Sequence, residues 1–171
     1  QAVNYSGFHG YWPVDLEQVD PRVGTETELR SLVASAHGRG MAVLLDLPAN
    51  HLHEDHPLAQ DEGRRSWFNH PAQVCGRDVA WDDAPETCWF TPYLPDLNLG
   101  HGPARAWLVG QAVAVAERFG VDGFRIDAVK HLDRRFLRDL RHALRARLEV
   151  GGQRFWTVGE TFSGDAGSVA S

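Results

Sequence analysis

The sequence predicts an α/β protein built on parallel strands, and three observations predict it. Short apolar runs of strand length alternate with amphipathic helical segments. Each helical segment carries its own start and stop residues. Each strand-length run ends in a carboxylate or close to one. Strands alternating with helices specify a parallel sheet with right-handed crossovers.

The first helix is expected over residues 25–39. Thr25 and Glu28 form a capping box, Leu29, Leu32, Val33 and Ala36 make one apolar stripe, and Gly40 ends it. Met41 to Leu47 is then nearly all apolar, the pattern of a strand buried on both faces. A second helix starts near Pro103, with Leu108, Ala112, Val115, Ala116 and Phe119 on one side and Gly120 as its stop. The strand Val121 to Asp127 follows. A third helix runs from about Asp133 to Leu148, with Phe136, Leu137, Leu140 and Leu144 facing inward, and Phe155 to Glu160 is the last strand. Between the first strand and the second helix, His51 to about Asn98 is too long for a βα loop. Its Pro, Asp, His and Trp content reads as a small inserted subdomain. The chain thus divides into 1–50, 51–98 and 99–171.

A net charge of −6 argues against a nucleic-acid partner and leaves a neutral substrate open. No apolar run is long enough to span a membrane. Six Trp and three Tyr suit sugar stacking, although aromatics fill cores more often than they bind ligands. Cys75 and Cys88 are the two cysteines. A bridge between them would close an irregular loop, stabilise the chain by roughly 3 kcal/mol and imply an oxidising, secreted or periplasmic setting; two buried free thiols are the alternative. One lysine, Lys130, stands against sixteen arginines. A lone ammonium in that background hints at a specific demand.

The chemistry gathers at the strand ends, at Asp46, Asp127 and Glu160. In parallel α/β barrels the C-terminal strand ends build the active site. The last two strands are joined by one ordinary βα unit and so are expected to be neighbours, about 4.8 Å apart. Carboxylates at matching levels there approach the roughly 5–5.5 Å separation of a retaining glycosidase. Arg125 lies two residues before Asp127, on the same strand face, where it would keep Asp127 ionised as a nucleophile. Glu160 as general acid needs a raised pKa, from partial burial and the Asp127 charge. One strand-end carboxylate is usually a cap or a surface ion pair; three at one rim point to a site.

Asp46-Leu-Pro-Ala-Asn50-His51, Gly123-Phe-Arg125-Ile-Asp127-Ala-Val-Lys130-His131, Gly159-Glu160 and Leu94-Pro95-Asp96-Leu97-Asn98 resemble, in order and spacing, signature regions of the α-amylase family, glycoside hydrolase family 13. Upstream, His9-Gly10-Tyr11-Trp12, Asp15 and Gly24-Thr25 resemble the segment after that family's second barrel strand. The resemblance implies part of a (β/α)8 TIM barrel, its third to fifth strands, with an inserted subdomain after the third. It also implies a retaining α-1,4-glucan hydrolase with starch or maltooligosaccharide as substrate. Asp127 would be the nucleophile and Glu160 the acid/base, with Arg125 orienting Asp127 and Asp46 as its structural partner. Tyr11 would stack on the sugar at the cleavage subsite and His51 would hydrogen-bond it. Lys130 and His131 would contact the leaving-group side, and Trp12 would either pack in the core, the favoured reading, or stand behind the residues that touch the sugar. Asn50, Asp96 and the backbone carbonyl of His131 would hold a structural Ca²⁺, for which oxygen ligands are suited; turn capping is the alternative for both side chains.

The family's third catalytic carboxylate follows its seventh strand. The only Asp after Glu160 is Asp165, which cannot reach another strand, and the first two and last three strands are not in this sequence. A three-stranded sheet would expose two edges and the apolar barrel interior. The 171-residue polypeptide alone is therefore expected to be poorly soluble and inactive, needing the missing barrel segments. Three rival readings remain. His51, His53, Asp55 and His56 match an H-x-H-x-D-H zinc-hydrolase signature, although that fold is mostly antiparallel and would leave Arg125, Asp127, Lys130 and Glu160 unexplained. A non-catalytic carbohydrate-binding relative would not need both Asp127 and Glu160. A transglycosylase or isomerase of the same family would share every motif.

Overall fold

The computed structural model describes residues 7–161 together with Ser163 and Gly167. Its order is α1 (Glu26–His37), β1 (Leu44–Leu47), α2 (Pro57–Gln60), a 3₁₀ turn (Glu62–Trp67), α3 (Gly102–Phe119), β2 (Gly123–Ile126), a second 3₁₀ turn (Val129–His131), α4 (Arg134–Leu148) and β3 (Trp156–Gly159). The three strands form one parallel sheet in the order β1-β2-β3. This is the expected α/β architecture, part of a (β/α)8 barrel.

Local chemistry sets the helix ends. Thr25 accepts from the Glu28 amide while the Glu28 carboxylate accepts from the Thr25 amide at 2.8 Å, closing both halves of the capping box. Asp133 caps α4 through the Arg135 amide at 2.7 Å. Gly120, at φ 66°, ends α3 in the left-handed region that costs a glycine little.

The strands are shorter than expected at both ends. Met41 to Val43 stay outside β1, yet Asp122 N still donates to Val43 O at 2.8 Å, and Glu160 N to Ile126 O at 2.9 Å. The alignment therefore continues past the strands proper. Nor is β1 buried on both faces, as Leu44 is 40% exposed. The reason is alternation. Leu44, Gly123 and Trp156 lie in one row, and Asp46, Arg125 and Val158 in the next, all on the face away from the helices. Leu47, Phe124 and Ile126 point the other way and are buried with Val33 of α1, Leu108, Ala112 and Ala116 of α3, and Phe136, Leu140 and Leu144 of α4. Leu32, expected on the α1 stripe, is exposed; Leu29 and Val33 make the inward line instead.

Residues 51–98 carry little regular structure. Antiparallel bridges His51–Asp96 and Phe68–Leu97 draw their two ends together, Leu97 N donates to Asn50 O at 2.9 Å just beyond β1, and Leu52, Trp67, Phe68 and Leu97 enter the same core as the helices. Cys75 and Cys88 form a disulfide with Cα atoms 5.2 Å apart. Among the described residues no helix is long and apolar enough to cross a membrane.

Candidate active site

The parallel register puts Asp46 level with Arg125 and Arg125 level with Val158, so the residues just beyond, Asp127 and Glu160, leave the sheet side by side. Arg125 is the hub. Its Nη1 donates to Asp46 Oδ1 at 2.8 Å and to Asp127 Oδ1 at 2.6 Å, and its Nη2 lies 2.9 Å from Glu160 Oε2. Tyr11 OH donates to the other Asp46 oxygen at 2.7 Å, and the guanidinium sits 5.8 Å from the Tyr11 ring centre. The bond to Asp46 is the main cause that raises the Arg125 pKa. Arg125 therefore serves all three carboxylates rather than Asp127 alone.

Asp127 and Glu160 thus meet on one guanidinium, and the proximity of Glu160 favours the protonated form of Asp127. Arg125 favours the ionised form of Asp127, but it is not the largest influence on it. Burial, the largest effect, outweighs the guanidinium and, with the Glu160 charge, pushes Asp127 up to about 6. Such a carboxyl is still mostly ionised at neutral pH.

The turn after β2 is unusual. Ala128 adopts φ 49°, ψ 43°, a left-handed conformation that costs a non-glycine residue about 1 kcal/mol or more. That turn aims the Ala128 amide at Glu160 Oε2, 3.3 Å away, and swings Lys130 and His131 over the carboxylates. Opposite it, Gly159 packs so tightly that a Cβ there would meet Val129 Cγ2 at 2.7 Å.

A cavity of 460 Å³ opens beside the pair, lined by Asp127, Ala128, Glu160, Lys130 and His131 and walled by Trp81, Asp82 and Phe90. Lys130 is ion-paired to Asp82. His131 Nδ1 meets Pro85 O at 2.7 Å, and its ring stands edge-on to Trp81 and Phe90; burial lowers its pKa. Tyr11 lies on the other side of the pair, over β1.

His51 does not meet the expectation of a sugar contact. It is 2% exposed, and its Nε2 donates to Tyr11 O at 2.9 Å. Burial lowers its pKa to about 4, so the neutral ring holds the Tyr11 backbone in place. Trp12 rests against the rings of Tyr93 and His9.

Asn50 and Asp96 do converge. Asn50 Nδ2 donates to Asp96 Oδ1 at 2.9 Å, and Asn69 Nδ2 to Asp96 Oδ2 at 2.6 Å. Burial raises the Asp96 pKa well above the usual carboxylate range, and Asn50 Oδ1 is buried with no hydrogen-bond partner among the described residues. A buried carboxylate beside an unpaired amide oxygen fits a hard cation. The His131 side chain contacts Pro85, Trp81 and Phe90, which leaves its backbone carbonyl, the third expected ligand, out of these contacts.

The histidine-rich stretch is used differently from a zinc site. His53 Nδ1 accepts from the Asp55 amide at 3.1 Å, and His56 Nδ1 from the Leu58 amide at 3.1 Å as the cap of α2. Among the described residues no three His, Cys, Asp or Glu side chains converge on a common ion position. Asp165 lies outside the described residues. The roles of Ala128, Asp82, Pro85 and Asn69 had no signal in the sequence, because each depends on which distant residue it meets.

A profile described as the alpha amylase catalytic domain matches residues 3–146. The chain is 33% identical to Alpha-amylase mde5 of Schizosaccharomyces pombe over 75% of its own length and 26% of that protein's. It is 29% identical to an alpha-amylase of Streptomyces lividans over 96% of its own length and 24% of that protein's. Among solved structures, an alpha-amylase from Geobacillus thermoleovorans, complexed with acarbose, superposes with a TM-score of 0.84 and 32% identity, covering 96% of this chain and 35% of that one. The chain thus spans between a quarter and about a third of the length of these proteins.

Proposed function

The chain belongs to the alpha-amylase catalytic-domain family, and from that premise we propose that it carries the reacting carboxylates of a retaining glycosidase acting on α-1,4-glucans. One observation carries the reading: Arg125 holds both Asp127 and Glu160 at the mouth of one cavity. Two carboxyl groups gathered on one guanidinium suit the closer pair of a retaining enzyme better than the roughly 6.5–9.5 Å separation that admits a water in an inverting one.

In the first step an Asp127 oxygen attacks the anomeric carbon while Glu160 gives its proton to the departing glycosidic oxygen. The bond to the leaving sugar breaks as the ester to Asp127 forms. In the second step Glu160 takes a proton from water, whose oxygen displaces Asp127 and restores both groups. Arg125 offsets the negative charge on the pair and keeps Asp127 aimed. Asp127 is the half-buried member, and Glu160, more open to the cavity, can follow a proton between leaving group and water. Reaction with a fluorinated maltosyl fluoride, followed by peptide mapping, should find the sugar on Asp127. An adduct on Glu160, or release of the inverted anomer, would overturn the assignment.

The exposed face of Trp81 on the cavity wall favours a second reading, transfer of the glycosyl group to a sugar acceptor. Chain-lengthened products from maltotriose would support transfer, and glucose and maltose alone would exclude it.

Asn50, Asp96 and the backbone carbonyl of His131 would hold a structural Ca²⁺, which would tie residues 51–98 to the end of β1 and to the turn after β2. Calcium should then raise the melting temperature of the wild type and leave an Asn50→Ala variant unmoved. The Cys75–Cys88 disulfide supports an exported protein, and the assignment fails if fractionation finds the protein in the cytosol with both thiols free.

A further inference from the structure

The loop closed by the Cys75–Cys88 disulfide contains no helix or strand, and three of its residues reach across to the turn after β2 and the cavity mouth. Asp82 pairs with Lys130, Pro85 O holds the His131 ring at 2.7 Å, and Trp81 stands edge-on to that ring. The loop is braced from within. Val74 N donates to Asp78 Oδ2 at 2.8 Å, Gly76 N donates to Val79 O at 2.7 Å, and the Trp81 indole leans over Gly76. A Cβ at Gly76, which has φ 73°, would come within 2.5 Å of the indole nitrogen, so the Trp81 pose depends on the bare backbone beside Cys75. The cavity lies between this loop and the carboxylates, while Tyr11 occupies the opposite side, over β1.

We propose that the disulfide-closed loop Cys75–Cys88 is a positioning element for the leaving-group side of the site, acting through Asp82 on Lys130 and through the Pro85 carbonyl on His131. The proposal rests on the glycosidase reading above. Asp82 is largely exposed, so its ion pair adds little to the stability of the fold. Its effect is geometric. Lys130 is a flexible four-carbon stem whose ammonium can face the cavity in many ways, and Asp82 selects one of them. His131 is likewise fixed by a carbonyl that the disulfide keeps in place. A sugar leaving group meets this wall, whereas a leaving group without a sugar does not.

The test compares maltopentaose with α-maltosyl fluoride, whose fluoride leaving group presents no sugar to the wall, in the full-length protein. Asp82→Asn should lower kcat/KM on maltopentaose about five-fold more than on the fluoride, through KM more than kcat, and Asp82→Glu should recover most of the loss. Reducing the disulfide of the wild type with dithiothreitol should shift the same ratio in the same direction, which keeps the test open should Asp82→Asn fold poorly. Equal losses on both substrates, no recovery by glutamate, or a ratio unmoved by reduction would overturn the proposal. A wild-type protein inert toward the fluoride would overturn the glycosidase reading itself, and this proposal with it.

Discussion

The two faces of the sheet are made by alternate residues of the same three strands, and they behave as different materials. The face toward α1, α3 and α4 is packed, with Phe124, Phe136, Leu140 and Leu144 at most 1% exposed. On the other face Leu44, Trp156 and Val158 are 40–53% exposed, and the charged cluster around Arg125 sits at its upper edge. The open face holds the carboxylates and the guanidinium to which the proposed chemistry is assigned. Stability and chemistry are thus separable along a single strand, residue by residue, and each can be attacked without the other.

The sharpest break comes at Asp127. Asp127→Asn should abolish turnover of a maltooligosaccharide by at least about 10⁴-fold, measured as kcat, because no other group can form the ester. The same substitution should make the protein more stable. A carboxyl raised from 3.8 to about 6 is harder to ionise folded than unfolded. The folded state therefore loses stability as pH rises from about 4 through 6, by up to about 3 kcal/mol, and the amide escapes that loss. Urea denaturation at pH 7.5 showing Asp127→Asn less stable than wild type would contradict the account.

Next in size is the open face itself. The 171-residue polypeptide produced alone should self-associate and show no hydrolysis, since its apolar rows and both edge strands are uncovered. Replacing Leu44, Trp156 and Val158 with Ser, Ser and Thr should reduce that association, read by sedimentation. A monomeric, starch-hydrolysing preparation of the unsubstituted chain would refute the expectation.

A smaller effect follows from pH. Asp127 must be ionised to attack, so kcat/KM should fall on the acid side of about pH 6, approaching ten-fold per unit. Arg125 lowers the Asp127 pKa, so Arg125→Met should move that limb to higher pH while also reducing the rate. An acid limb left in place by the substitution would show that the guanidinium does not reach Asp127.

The packed face yields the least dramatic change. Thr25→Ala removes one half of the α1 cap and should cost about 1 kcal/mol in urea denaturation with no effect on KM. A change in KM would mean that the two faces are coupled.

The packed face was largely legible in the sequence, because helical periodicity and capping are local: Thr25, Glu28 and Gly120 each act within four residues. The strand-end carboxylates were legible for a similar reason, since a parallel sheet levels its strands. The exposure of Leu44 was not, because an apolar run looks the same whether or not anything covers it. Nor were the turn at Ala128, the pairing of Asp82 with Lys130 or the convergence of Asn69 on Asp96, which join positions 27 to 48 residues apart. The rise in the Asp127 pKa was not legible, because a guanidinium can be counted in a sequence and burial cannot. His51 was misjudged because a motif names a residue without saying which way its ring is turned.

At Gly159 the floor of the site is defined by a missing methyl group. Val129 occupies the space that any side chain would need, and its amide donates to Glu160 O at 3.0 Å, tying the turn after β2 to the end of β3. The spacing between the turn that carries Asp127 and the strand end that carries Glu160 is therefore gauged by a hydrogen atom, on a residue whose own side chain contributes nothing to the cavity.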